Sequence, residues 1–96
     1  MPIYRYCPEK NIKLIDERGI SFDEIIAAIE SGELLDILEH GNQEKYKGQK
    51  IYVVTAKAYI YLVPFVIDVD GNIFLKTIIP SRQAKNRYLR RKNEKN

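Results

Sequence analysis

The side chains best equipped for chemistry crowd the C-terminal end. Arg82, Lys85, Arg87, Arg90, Arg91, Lys92 and Lys95 all fall in the last fifteen residues, beside a single acid, Glu94. Of the chain's 16 Lys and Arg and 13 Asp and Glu, nine and twelve remain in Met1 to Ser81, so a balance of −3 lies beneath a tail of +6. Such a segment lowers its free energy beside a polyanion, because each neutralised phosphate releases condensed counterions. RNA or DNA is the first partner this charge suggests. Charge alone does not separate a nucleic-acid enzyme from a passive binder, or from a solvated tail that only aids solubility.

Other chemistries are poorly supplied. The lone Cys7 and the lone His40 lie in different segments without the spacing of a zinc site, so neither a metal nor another cofactor is expected. His40 stands beside Gly41 and Asn42 and reads as a solvated loop histidine despite its useful titration range. A single cysteine cannot close an internal disulfide, which makes a cytoplasmic location the expectation. No apolar stretch approaches the roughly 20 residues of a membrane span, and no membrane partner is expected. Ninety-six residues suit one domain, expected over residues 1–92 with a frayed basic tail at 93–96.

The elements that must position the cations can be read from capping and periodicity. Ile3 to Tyr6 reads as a first strand. Pro8 suits the first position of a helix that runs to Arg18, where Gly19 supplies a left-handed stop. Ile12 and Ile15 give that helix a thin apolar stripe. Ser21-Phe22-Asp23-Glu24 is a capping box, predicting a helix from Phe22 with Ile20 stapled onto Ile25 and Phe22, Ile25, Ile26 and Ile29 on one face, ending at Gly32.

Beyond Gly32 the period changes to that of strands. A strand around Leu35 to Leu38 and a polar loop from His40 to Lys50 precede three β-rich runs, Ile51 to Thr55, Tyr59 to Ile67 and Ile73 to Ile79. Ala56-Lys57-Ala58 and Asp70-Gly71-Asn72 are the expected turns of a meander. Pro64 lacks a ladder donor, so a bulge or an exposed edge is expected there. Pro80 ends the last strand, and Ser81 can cap a final helix from about Arg82 to Arg90. Tyr52, Tyr59 and Tyr61 read either as a stacking platform or as cross-strand packing pairs.

Two stretches together resemble a known family. Tyr6-Cys7-Pro8-Glu9-Lys10-Asn11, continued by Glu17-Arg18-Gly19-Ile20-Ser21-Phe22-Asp23-Glu24, is similar to the opening of BrnT-type toxins. Ile78-Ile79-Pro80-Ser81-Arg82-Gln83-Ala84 is similar to their closing segment. Cys7, Arg18 and Ser81 stand where that family usually has Asp, His and Ala. The resemblance implies an α+β, RelE-like fold, with two N-terminal helices and a C-terminal helix packed on a small antiparallel meander sheet. It further implies the toxin of a type II toxin-antitoxin module, an RNA-cleaving enzyme neutralised by a small cognate antitoxin, expected to be of the ribbon-helix-helix type.

Metal-free RNA cleavage needs activation of a 2′-OH, neutralisation of charge on phosphorus and protonation of the leaving oxygen. By analogy with RelE-like toxins, which use Lys, Arg and Tyr, the expected catalytic residues are Arg82 as a two-oxygen phosphate clamp, Lys76 as added charge and Tyr88 as a base-stacking or proton-sharing group. Lys50, Lys57, Lys85, Arg87 and Arg91 are expected to bind RNA. Arg18 joins them as a binder only, because a guanidinium does not deprotonate in proteins. Plainer roles compete: Tyr88 packing a helix, Lys76 facing water, and Arg82 pairing with Asp68 or Asp36. A non-catalytic nucleic-acid binder and a protein-interaction module remain the alternatives to the enzyme.

Overall fold

Local capping sets the helical half of the fold. In the computed structural model, which describes residues 3–39, 41–45 and 48–83, helix α1 spans Pro8–Arg18 and stops at Gly19 with φ 66°. Leu14 is the residue α1 buries, whereas Ile12 and Ile15 are exposed, so the apolar stripe of this helix faces outward. Helix α2 spans Phe22–Glu30, and the Glu24 N–H donates to the Ser21 hydroxyl at 3.1 Å. The capping box is not reciprocal, because a Glu24 carboxylate oxygen accepts from the Ser21 hydroxyl at 3.2 Å. Past Glu30, the Glu33 N–H reaches the Ala28 carbonyl and the Gly32 N–H the Ile29 carbonyl, with Gly32 at φ 87°. This is a Schellman closure, which glycine makes without Cβ strain.

The remaining described residues form one six-stranded sheet: β1 Tyr4–Arg5, β2 Leu34–Glu39, β3 Lys50–Ala56, β4 Tyr59–Ile67, β5 Ile73–Leu75 and β6 Ile79–Pro80. The order is β1-β5-β4-β3-β2, with β6 also on β4. Tyr52, Val54, Tyr61, Val63, Phe65 and Leu75 point to the face covered by Leu14, Ile20, Phe22 and Ile25 of the helical half, and together these make the core. The stacked rings of Tyr52 and Phe65, 3.8 Å apart between centroids, lie within it.

Two expectations are corrected here, and a third falls mostly outside the described residues. The three-helix, purely antiparallel architecture does not hold, because the described residues contain two helices and a sheet in which β1 runs parallel to β5. The C-terminal helix expected from Arg82 to Arg90 lies, beyond Gln83, outside the described residues. The single strand expected from Ile73 to Ile79 is two, β5 and β6.

Pro64 gives the reason for that break. The Lys76 N–H donates to the Pro64 carbonyl at 2.8 Å, but proline has no N–H to return, so the ladder stops. Pairing resumes one residue out of step, from Phe65↔Leu75 to Leu62↔Ile79 and Tyr61↔Pro80. The expected irregularity at Pro64 is therefore a one-residue bulge in the strand beside it.

Candidate nucleic-acid interface

The segment leading to Arg82 is held by β4. β6 pairs with Leu62 and Tyr61, the Ser81 N–H donates to the Ile60 carbonyl at 3.0 Å, and the exposed Arg82 follows. Tyr59 begins β4 at the tight turn Lys57-Ala58, so Arg82 leaves the sheet at the β3–β4 turn.

That turn is unusual. Lys57 and Ala58 have φ 51° and 60°, the left-handed pair a two-residue hairpin requires and which Asn-Gly ordinarily supplies. An alanine and a lysine there carry a backbone cost of about 1–2 kcal/mol each. Contacts from the helical half offset it for lysine: Lys57 Nζ lies 2.8 Å from Glu24 Oε2 and donates to the Gly19 carbonyl at 2.7 Å. The hydrogen bond from Lys57 holds the Glu24 carboxyl below its usual range, despite partial desolvation. Next along the chain from Gly19, the Arg18 guanidinium donates to the Ile78 carbonyl, in the gap between β5 and β6. Lys57, Arg18 and Arg82 thus share one end of the molecule, although two of these cations already have protein partners.

The other expected cations are elsewhere. Lys50 pairs in register with Phe65, and the Lys76 N–H with the Pro64 carbonyl. Lys57 lies seven positions along the chain from Lys50, roughly 23 Å at the strand rise. Lys76 is exposed and its Nζ lies 5.6 Å from the Phe74 ring centroid, while Lys50 shares the opposite, helix-covered face with Phe65. The structure does not bring Lys50 or Lys76 to Arg82. Tyr88, Lys85, Arg87 and Arg91 lie outside the described residues, as does His40.

Asp68 and Asp36, the acids expected to compete for Arg82, accept backbone N–H groups. Asp68 Oδ1 accepts the N–H groups of Asp70 and Asn72, both at 2.9 Å, and so builds the β4–β5 turn. Asp36 Oδ1 accepts the Ile37 N–H on β2. The ion pairs Lys13–Glu17 and Lys57–Glu24 do not include Arg82.

The tyrosines resolve toward packing. Tyr52 is buried, and burial pushes its hydroxyl pKa up to about 12, which suits neither proton transfer near neutrality nor stacking on a base. Tyr61 is buried too, tilted against the half-buried Tyr59 with centroids 5.7 Å apart.

A groove of about 460 Å³ lies beside the Lys57 turn, lined by α2 residues Glu24, Ala27 and Ala28, by Ser31 and Glu33, and by Thr55 to Ala58. Its charged lining is Glu24, Glu33 and Lys57, a balance unsuited to phosphate.

Glu24 is the participant the sequence did not reveal. Its place in a capping box accounts for it locally, and nothing in residue spacing announces that Lys57 will reach it across the fold.

The N-terminal stretch that resembles the toxin family proves to be a structural clasp. The Tyr6 hydroxyl donates to Asp23 at 2.8 Å, its ring stacks on Phe22 at 4.9 Å, and the Asn11 carboxamide oxygen accepts the Phe22 N–H at 2.7 Å. These contacts join the start of α1 to the start of α2, so residue types in this stretch are fixed by packing and capping.

Among the described residues no group of three His, Cys, Asp or Glu side chains could hold a metal ion, and no helix is long and apolar enough to cross a membrane. Comparison of the chain with protein-family models, curated proteins and solved structures finds no match.

Proposed function

We propose that this chain is the toxin of a type II toxin-antitoxin module, of the BrnT type, and cleaves RNA without a metal. The observation that carries the reading is the route of the chain through β6, which delivers an exposed Arg82 to the sheet end at the head of a segment of charge +6. A guanidinium there can hold two oxygens of a phosphate while the 2′-oxygen bonds to phosphorus and the 5′-oxygen leaves. The 2′-OH proton passes to a base and a proton is returned to the 5′-oxygen, with Tyr88 proposed to share in that transfer. Lys76 stands at a different place along β4, so it serves a phosphate further along the strand. The cognate antitoxin is proposed to be a small ribbon-helix-helix protein that covers the basic end with an acidic or amphipathic segment.

A second reading, a nucleic-acid binder without catalysis, is favoured by one specific arrangement. Lys57 and Arg18 are engaged by Glu24, Gly19 and Ile78 and so are drawn into the fold itself. Incubation of purified protein with RNA in a chelator separates the two. Cleavage that Arg82→Ala abolishes, with the circular dichroism spectrum unchanged, supports the enzyme; intact RNA at high concentrations of folded protein supports the binder.

A further inference from the structure

The two sides of β6 are held differently. The Ser81 N–H donates to the Ile60 carbonyl, so by the alternation of an antiparallel ladder Ser81 and Ile79 turn their backbone groups toward β4, while Ile78 and Pro80 turn theirs away. β6 pairs with β4 alone, and no described strand lies on its outer side. Pro80 suits that side, having no N–H to leave unpaired. The Ile78 carbonyl is less easily left there, because the residue is fully buried and a buried acceptor needs a donor. The Arg18 guanidinium supplies one.

Arg18 is brought to this carbonyl by backbone that is fixed on both sides. The Gly19 N–H closes α1 on the Ile15 carbonyl at 3.0 Å, and the Gly19 carbonyl accepts Lys57 Nζ at 2.7 Å. Leu14, a turn earlier, and Ile20, just beyond, are buried in the core. Neither ion pair formed among the described residues, Lys13–Glu17 or Lys57–Glu24, includes Arg18.

We propose that Arg18 is a positioning residue, which holds the outer edge of β6 in place of a neighbouring strand and so sets where Arg82, four residues beyond Ile78, stands toward RNA. A strand of two residues has little else to keep it in line. Arg18 therefore acts on RNA through Arg82 and makes no phosphate contact of its own. That consequence rests on the RNA reading above; the clamp on β6 does not.

The test uses the full chain. Amide exchange followed by NMR is expected to show the Ser81 N–H exchanging roughly tenfold faster in Arg18→Met, with the Glu24 N–H at the α2 cap unchanged. RNA is represented by a labelled 2′-O-methyl oligonucleotide, which lacks the hydroxyl that cleavage needs. Arg18→Met is expected to weaken its binding about threefold when Arg82 is present and less than about 1.5-fold in an Arg82→Gln background, the coupling of one residue acting through another. Arg18→Lys, which keeps a donor for the Ile78 carbonyl, is expected to bind within about twofold of the unaltered protein. Equal losses in both backgrounds would assign Arg18 its own contact with RNA, and unchanged Ser81 exchange would show that β6 holds without it; either result overturns the proposal. Arg82→Gln without effect on binding would instead sink the RNA reading, and Ser81 exchange would still decide the clamp.

Discussion

The Lys57 ammonium lies 2.8 Å from Glu24 Oε2, joining the β3–β4 turn to the first turn of α2. Both side chains are about half exposed, so the pair contributes only about 0.2–1 kcal/mol. Lys57→Met is expected to lower stability by that order at neutral pH. Because the Glu24 carboxyl is held below its ordinary value, the contribution is present above the unfolded pKa and lost as pH falls through the folded one. Urea unfolding of both proteins should therefore differ at pH 7 and converge in acid. A difference that persists undiminished at pH 2 would assign the effect to the Gly19 contact instead.

Ala58 has φ 60°, where its Cβ is strained. Ala58→Gly is expected to raise stability by about 0.5–1 kcal/mol, the relief of strain less the added freedom of the unfolded chain. Thermal melts would measure it, and a lower melting temperature would show that the turn does not carry the strain its backbone angles imply.

Tyr52 offers a probe of the core at high pH. Burial raises its hydroxyl pKa to about 12, so the fold favours the neutral phenol. That contribution is fully present below the unfolded pKa of about 10 and is lost as pH rises through about 12. Tyr52→Phe should flatten the loss of stability across this alkaline window. An ultraviolet titration in which every tyrosine ionises near its ordinary value would contradict the assignment.

Arg82 is expected to hold one phosphate. Arg82→Gln should weaken single-stranded RNA binding and make the slope of log affinity against log salt shallower by about 0.7. Lys57→Met, which removes a cation already paired with Glu24, should change that slope less. Equal effects of the two substitutions would point to diffuse attraction instead of a contact at Arg82.

What could be read from the residues alone was local. Pro8, Gly19, Ser21 and Gly32 are signals whose physics acts within one turn of chain, and they bound α1 and α2 where they stand. The Asp70-Gly71-Asn72 turn is local too, although its organising carboxylate, Asp68, was not singled out for that role. Non-local effects were harder. The parallel seat of β1 beside β5 depends on contacts between chain ends. The left-handed Lys57-Ala58 turn contradicts residue preference and persists with a contact from another element. Arg18 was read as a cation for RNA, and only the gap between β5 and β6 reveals the carbonyl it serves. Of the expected site, Arg82 is exposed at the sheet end, whereas Lys50 and Lys76 are separated from it by the length and faces of the strands.

The missing hydrogen on Pro64 has a distant result. Had pairing continued in step from Phe65↔Leu75, Pro80 would stand opposite Ile60 and Ser81 opposite Tyr59. The slip of one position sets Pro80 opposite Tyr61 and ties the Ser81 amide to Ile60 instead. An imino acid in the middle of β4 thus fixes the register at which the chain leaves the sheet just ahead of Arg82.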